Sequence, residues 1–207
     1  MRGKGPGVLL LLAAAPAGAV ESFAVETAWF VPELGQAWVF GVGGEGRFSG
    51  LAGQPDDPPW PTRGLRLDVG WLRYHDGHGR LAYGPTLGYG RSLADPLHPD
   101  AAFQHLAFGA LGRYRLASPT FFTVSFALFA EAGPFFADAE AGTTAPEGTT
   151  WRAAAGVELF SVGALLYLSP WVFGEIAPWL GVEAIGFEGS RPALGGGLRL
   201  RFDWARH

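Results

Sequence analysis

The sequence predicts an all-β fold: a closed, antiparallel, up-and-down transmembrane β-barrel of about eight strands. Three observations predict it. Stretches of roughly ten residues alternate apolar and polar side chains with period two. The connections between these stretches alternate between short and long. The composition joins abundant Gly and aromatics to sparse charge: 207 residues hold 32 Gly, 16 Phe and 8 Trp, with 48% hydrophobic and 16% charged residues.

The same composition excludes several classes. The apolar content is too high, and the net charge of −4 too small, for a disordered chain. The absence of Cys excludes a disulfide scaffold, a thiolate metal site, a Cys nucleophile and a lipid-modified N-terminal Cys. Residues 1–19 read as a secretory signal peptide: Arg2 and Lys4 form a basic start, Val8 to Ala15 an apolar stretch too short to span a bilayer, and Ala17-Gly18-Ala19 a small-residue cleavage site. Lys4 is the only lysine. Of the 15 basic residues, those beyond position 19 are all Arg, and they are outnumbered by 19 acids with no polybasic run. Nucleic acid is therefore not an expected partner.

The elements follow in order. Trp38, Phe40 and Val42 oppose Gly41, Gly43, Glu45 and Arg47. From Arg63 to His75, Leu65, Leu67, Val69 and Trp71 oppose Arg66, Asp68, Gly70 and Tyr74. From Leu81 to Tyr89, Leu81, Tyr83, Leu87 and Tyr89 oppose Ala82, Gly84, Thr86 and Gly88. From Phe103 to Leu116, Leu106, Phe108, Ala110 and Tyr114 oppose His105, Gly109, Arg113 and Arg115. From Phe121 to Glu131, Phe122, Val124, Phe126 and Leu128 oppose Thr123, Ser125 and Glu131. From Trp151 to Leu159, Ala153, Ala155 and Val157 oppose Arg152, Gly156 and Glu158. Phe173 to Phe187 is a poorer candidate, carrying Glu183. Leu194 to Trp204 is the clearest, with Leu198, Leu200, Phe202 and Trp204 opposite Arg199, Arg201 and Asp203. Ten residues at ~3.3 Å each, tilted ~40°, rise about 25 Å, the apolar height of an outer-membrane barrel.

Period two fits both a soluble barrel with apolar residues inside and a membrane barrel with apolar residues outside. Three features select the membrane form. Gly is concentrated on the polar register, where a narrow interior needs small residues beside charges. Trp38, Trp71, Tyr114, Trp151 and Trp204 stand on the apolar register near strand ends, as interfacial girdles do. Water-facing strands would carry Lys, which the chain lacks beyond position 4. A helical span is disfavoured because the uncharged stretches Leu116 to Ala130 and Leu159 to Gly174 fall short of ~20 residues.

On these strands and this leader the chain resembles the small bacterial outer-membrane barrels, the OmpA/OmpX-like transmembrane domains, over essentially all of its length beyond residue 19. The resemblance implies an outer-membrane location and an insertion signal in the last strand. Gly197-Leu198-Arg199-Leu200-Arg201-Phe202 matches that signal, with Gly197, Leu200 and Phe202 as its positions. Two departures stand: Gly195 replaces a polar residue, and Ala205-Arg206-His207 replaces a terminal aromatic. Fold does not imply function, and the resemblance is silent on activity.

The expected lumen charge network is Arg66, Asp68, Arg113, Arg115, Glu131, Arg152, Glu158, Glu183, Arg199, Arg201 and Asp203. An eight-stranded barrel is just wide enough for side chains to fill it, and buried charges must pair. These residues are expected to plug the barrel; a narrow ion or water path is the alternative. No catalytic residue, metal site or cofactor is assigned. His75-Asp76-Gly77-His78 reads as a solvated turn rather than a metal site. Ser92, Asp95, His98 and His105 lie on or beside one outer loop, the side for a lipid A-modifying enzyme, but form no signature of one. Gly41 to Gly46 resembles a phosphate loop only superficially, since no Lys follows.

The domain reading is a signal peptide at 1–19, a periplasmic or lumen segment at 20–35 and the barrel at 36–207. Pro85, Pro134 and Pro178 fall in or near strands, where a barrel is expected to take Pro only at bulges or ends. The register is lost within 160–179, which leaves a count of ten strands open. The expected function is a non-enzymatic, monomeric membrane scaffold presenting outer loops. Its expected partners are outer-membrane lipid, lipopolysaccharide and the barrel-insertion machinery. The alternatives are a lipid A-modifying enzyme and a soluble periplasmic lipid-binding barrel.

Overall fold

A computed structural model describes residues 35–47, 63–75, 80–93, 101–116, 122–139, 147–168, 171–188, 190 and 192–206. The signal-peptide reading, nearly all of the 20–35 segment, and Asp76, His78, Asp95 and His98 lie outside them. Eight strands run β1 Gln36–Arg47, β2 Arg63–Tyr74, β3 Leu81–Ser92, β4 Ala101–Arg115, β5 Phe122–Ala139, β6 Gly148–Leu168, β7 Trp171–Ile185 and β8 Ala193–Arg206. Each pairs antiparallel with the next, and β1 pairs with β8 to close the barrel. No helix among the described residues is long and apolar enough to cross a membrane. The strand ends that border the short connections (Tyr74 and Leu81, Arg115 and Phe122, Leu168 and Trp171) lie at one end of the barrel, and those that border the longer ones at the other.

The period-two pattern becomes two surfaces. Outward residues are large, apolar and exposed: Leu67 by 57%, Phe108 by 60% and Leu128 by 66%. Inward residues on the same strands are buried, and the charged ones are buried as deeply as the apolar ones. Trp38 faces Trp71 on one side and Trp204 on the other, so three tryptophans form one outward row near the short-turn end. Tyr114 and Trp151 are also outward and exposed.

The count is eight, not ten, because β6 is one long strand that crosses a bulge. Ser125 faces Ser161 and Ala127 faces Glu158, so Phe126 alone opposes both Leu159 and Phe160. Phe160 takes the extra-residue position with φ of +50°, a left-handed conformation uncommon for a bulky residue. The bulge moves the inward positions from even to odd numbers: Glu158 and Ser161 are both buried while Leu159 and Phe160 both face out. That parity change is why alternation fails in the sequence beyond Leu159.

Pro85 and Pro134 correct the expectation that Pro needs a bulge or strand end, whereas Pro178 meets it. Each sits within a strand where the ladder on one side is interrupted. Pro85 faces Ala110, while β2–β3 pairing stops at Gly70–Thr86 and resumes at Arg73–Tyr83. Pro134 faces Trp151, while β4–β5 pairing is interrupted between Phe108–Ala132 and His105–Phe135. Pro178 faces Leu198, opposite the β6 bulge. The missing N–H falls where no ladder bond is made, so the proline costs little there.

Candidate functional site

The lumen is layered from the long-loop end to the short-turn end. The top layer is apolar: Phe103, Phe135, Ala137 and Ile185 pack together with Phe187 against them. Phe103 and Phe135 stack at 5.5 Å. His105 lies in this layer, fully buried, with ring centroids 6.1 Å from Phe103 and 6.4 Å from Phe135. Its Nδ1 is 3.8 Å from Glu45 Oε1. Gly90 stands across from His105, and a Cβ there would run into the imidazole, so glycine is what lets the ring lie flat inside a narrow barrel.

Beneath it lies an outer charge cluster. Arg66 donates both Nη1 and Nη2 to the two oxygens of Glu131, each at 2.5 Å, in a bidentate fork. Its Nε donates to Asp68 Oδ1 at 2.8 Å. Arg152 Nη1 donates to Glu131 Oε1 at 2.7 Å, and its Nε donates to Glu183. One carboxylate from β5 therefore ties β2 to β6. Gly88 makes space for this arrangement: a Cβ there would lie 2.5 Å from Arg66 Nη2 and 2.8 Å from Asp68 Oδ1.

The middle layer holds one cation between two rings. Arg199 Cζ is 4.8 Å from the Phe129 centroid and 4.9 Å from that of Trp179. Those rings meet edge to face at 5.7 Å. Cation–π attraction therefore adds to the ion pairing of this buried guanidinium. Arg199 Nη1 also donates to Glu158 Oε1 at 3.1 Å, and Arg201 donates to the same oxygen.

The inner cluster follows. Arg113 and Arg115 share two carboxylates. Arg113 Nη1 donates to Glu175 Oε2 at 3.2 Å, and Arg115 Nη2 to Glu175 Oε1 at 3.1 Å. Arg115 Nη2 reaches Asp203 Oδ2 at 2.6 Å, where Arg113 also pairs. The Tyr74 hydroxyl accepts from Arg115 Nη1 at 3.0 Å, and Thr123 Oγ1 donates to Glu175 Oε1 at 3.2 Å. An apolar floor of Ala37, Leu72, Phe173 and Ala205 lies below, with Leu165 and Trp171 against it.

The eleven charged residues named from the sequence all point into this lumen, in two clusters and a middle layer. Glu175 was absent from that set although it is fully buried and holds both inner arginines. Its signal was its spacing of eight residues from Glu183, an even number on an unbulged strand. Phe173, Ala177, Trp179 and Ile185 share its inward register, so β7 is apolar on both faces and its alternation is faint. Glu45, His105, Tyr74 and Thr123 were on the polar register but were not assigned to the network. Among the described lumen residues, six arginines (66, 113, 115, 152, 199 and 201) meet seven carboxylates (45, 68, 131, 158, 175, 183 and 203).

Other candidates fall apart or elsewhere. Ser92 Oγ accepts a hydrogen bond from the Phe103 amide at 3.0 Å, while His105 is buried in the aromatic layer rather than on a loop. His75 is exposed and stacks on Tyr83 at 4.0 Å. Among the described residues no group of three His, Asp or Glu could hold a metal ion. Of the insertion-signal residues, Leu200 faces out and Gly197 faces in, where a Cβ would lie 2.9 Å from Trp179 Nε1.

This fold defines the class: a closed, eight-stranded antiparallel β-barrel. Neisserial surface protein A has this fold at TM-score 0.52 and 15% identity, the match covering 83% of this chain and 99% of that one. Ail, the attachment invasion locus protein of Yersinia pestis, aligns at TM-score 0.45 and 10% identity over 84% of this chain and 99% of its own. The N-terminal β-barrel domain of Pseudomonas aeruginosa OprF aligns at 0.40 and 10%, over 82% and 98%. No family model matches the chain, and no curated protein matches it in sequence.

Proposed function

We propose that this protein is a bacterial outer-membrane barrel whose lumen is a closed salt-bridge plug and whose role is to present its long-loop end outside the cell. The observation that carries the reading is the lumen's layering: two buried, cross-barrel charge clusters, each covered at its outer end by apolar side chains. The outward apolar surface and its tryptophan row suit lipid, and the resemblance to Neisserial surface protein A in fold supports the same setting. Export by a cleaved leader, residence as a monomer, and contact with lipopolysaccharide and the insertion machinery are parts of this reading.

Two measurements test it. A folded barrel migrates differently on a denaturing gel before and after boiling and needs detergent for extraction; a chain that dissolves without detergent and runs identically in both lanes contradicts membrane residence. In planar bilayers the purified protein is expected to be electrically silent. Steady open conductance would replace the plug with a channel.

A further inference from the structure

The outer face of the barrel carries a shallow trough that the lumen does not explain. Its floor is Pro85, Ala110, Gly112 and Ala130, with Tyr83 and Leu128 beside it. The register makes it. Pro85 faces Ala110 and Ala110 faces Ala130, so three small outward residues stand in one row. In the next row towards the short-turn end, Gly112 lies between Tyr83 and Leu128. A Cβ on Gly112 would meet no heavy atom within 4 Å, so the space before it is open. On the opposite wall Ile176, Leu198 and Leu200 project outward, each at least 41% exposed.

At the short-turn side of the same trough stand Arg73 and His75. Arg73 is exposed on the outward register, and its cross-strand neighbours Gln36 and Tyr83 carry no charge. His75 is held by its stack on Tyr83, with the rings 3° from parallel.

We propose that this trough seats one glycerophospholipid of the short-turn leaflet, its phosphate on Arg73 and His75 and an acyl chain over Ala110, Gly112 and Ala130. The inference rests on the reading of the outer face as lipid-facing. Charge complementarity identifies the occupant. An apolar trough that ends in a cation at the membrane boundary matches a molecule with a chain at one end and an anion at the other.

Native mass spectrometry of the full chain in detergent, with dioleoyl phosphatidylglycerol added, tests it. A one-to-one adduct is expected. Arg73→Gln should lower its retained fraction about fivefold, the factor one cation near an anionic lipid surface supplies. Gly112→Phe, which fills the trough, should lower it comparably, whereas Leu198→Ala on the opposite wall should not. Dioleoylglycerol, with the same chains and no phosphate, should not be retained. Equal retention by wild type and Arg73→Gln, or equal retention of dioleoylglycerol, overturns the site. Boiled and unboiled gel lanes identify any variant that fails to fold, and Arg73→Gln, which alters no packing inside the barrel, then decides alone. A detergent-requiring chain without the adduct refutes the lipid site only; a chain soluble without detergent refutes the membrane reading as well.

Discussion

The outer and inner charge clusters solve one problem in different ways. In the outer cluster a single carboxylate, Glu131, holds two arginines from opposite walls, with Asp68 and Glu183 completing them. In the inner cluster two carboxylates, Glu175 and Asp203, are each shared by the same two arginines. The outer arrangement is a chain with one central link, and the inner one is a closed square. A chain that loses Glu131 still leaves Arg66 with Asp68 and Arg152 with Glu183, whereas a square that loses Glu175 leaves Arg113 and Arg115 sharing Asp203. The inner half also contains buried polar atoms with no protein partner, among them Ser125 Oγ, Ser161 Oγ, Glu158 Oε2 and Asp203 Oδ1. Such atoms need water, and the outer half has one too in Asp68 Oδ2.

Substitutions can test this contrast through the midpoint of urea unfolding in detergent, followed by tryptophan fluorescence. Glu175→Gln should have the largest effect, destabilising by about 3–5 kcal/mol, because it leaves Arg113 and Arg115 buried with Asp203 as their shared anion. Glu131→Gln should cost less, about 1–3 kcal/mol, since Asp68 still pairs with Arg66 and Glu183 with Arg152. Equal costs for the two substitutions would contradict the contrast between the chain and the square. Gly88→Ala should destabilise by about 1–2 kcal/mol, since its methyl must displace Arg66 or Asp68 from the outer cluster. The double change Ser125→Ala with Ser161→Ala should shift the midpoint least, within about 0.5 kcal/mol, because neither hydroxyl bonds to protein. A loss as large as that of Glu175→Gln would show that the inner half is a tight network.

Legibility followed the bulges. β2, β4 and β8 have no register shift in any of their ladders, and their inward charges were readable from parity alone. Beyond Leu159 the bulge inverts parity, and Glu175 went unnoticed across the same stretch of chain. Strands β5 and β6 also proved longer than their alternating cores. Their ends carry Phe135 and Ala137 on the lumen side and Ala164 and Leu166 on the other strand, where apolar residues on both faces erase the contrast.

Period two, sparse charge and the loop-length alternation were enough to establish an antiparallel barrel and which face of most strands is charged, because these depend on neighbours along one strand. Strand count, the partners of each arginine and the apolar layers over the charges depend on contacts between residues far apart in the chain. Arg66 meets Glu131 across 65 positions and Arg115 meets Asp203 across 88. No local pattern encodes such pairs. They appear only once the closed barrel brings opposite walls within the reach of one side chain.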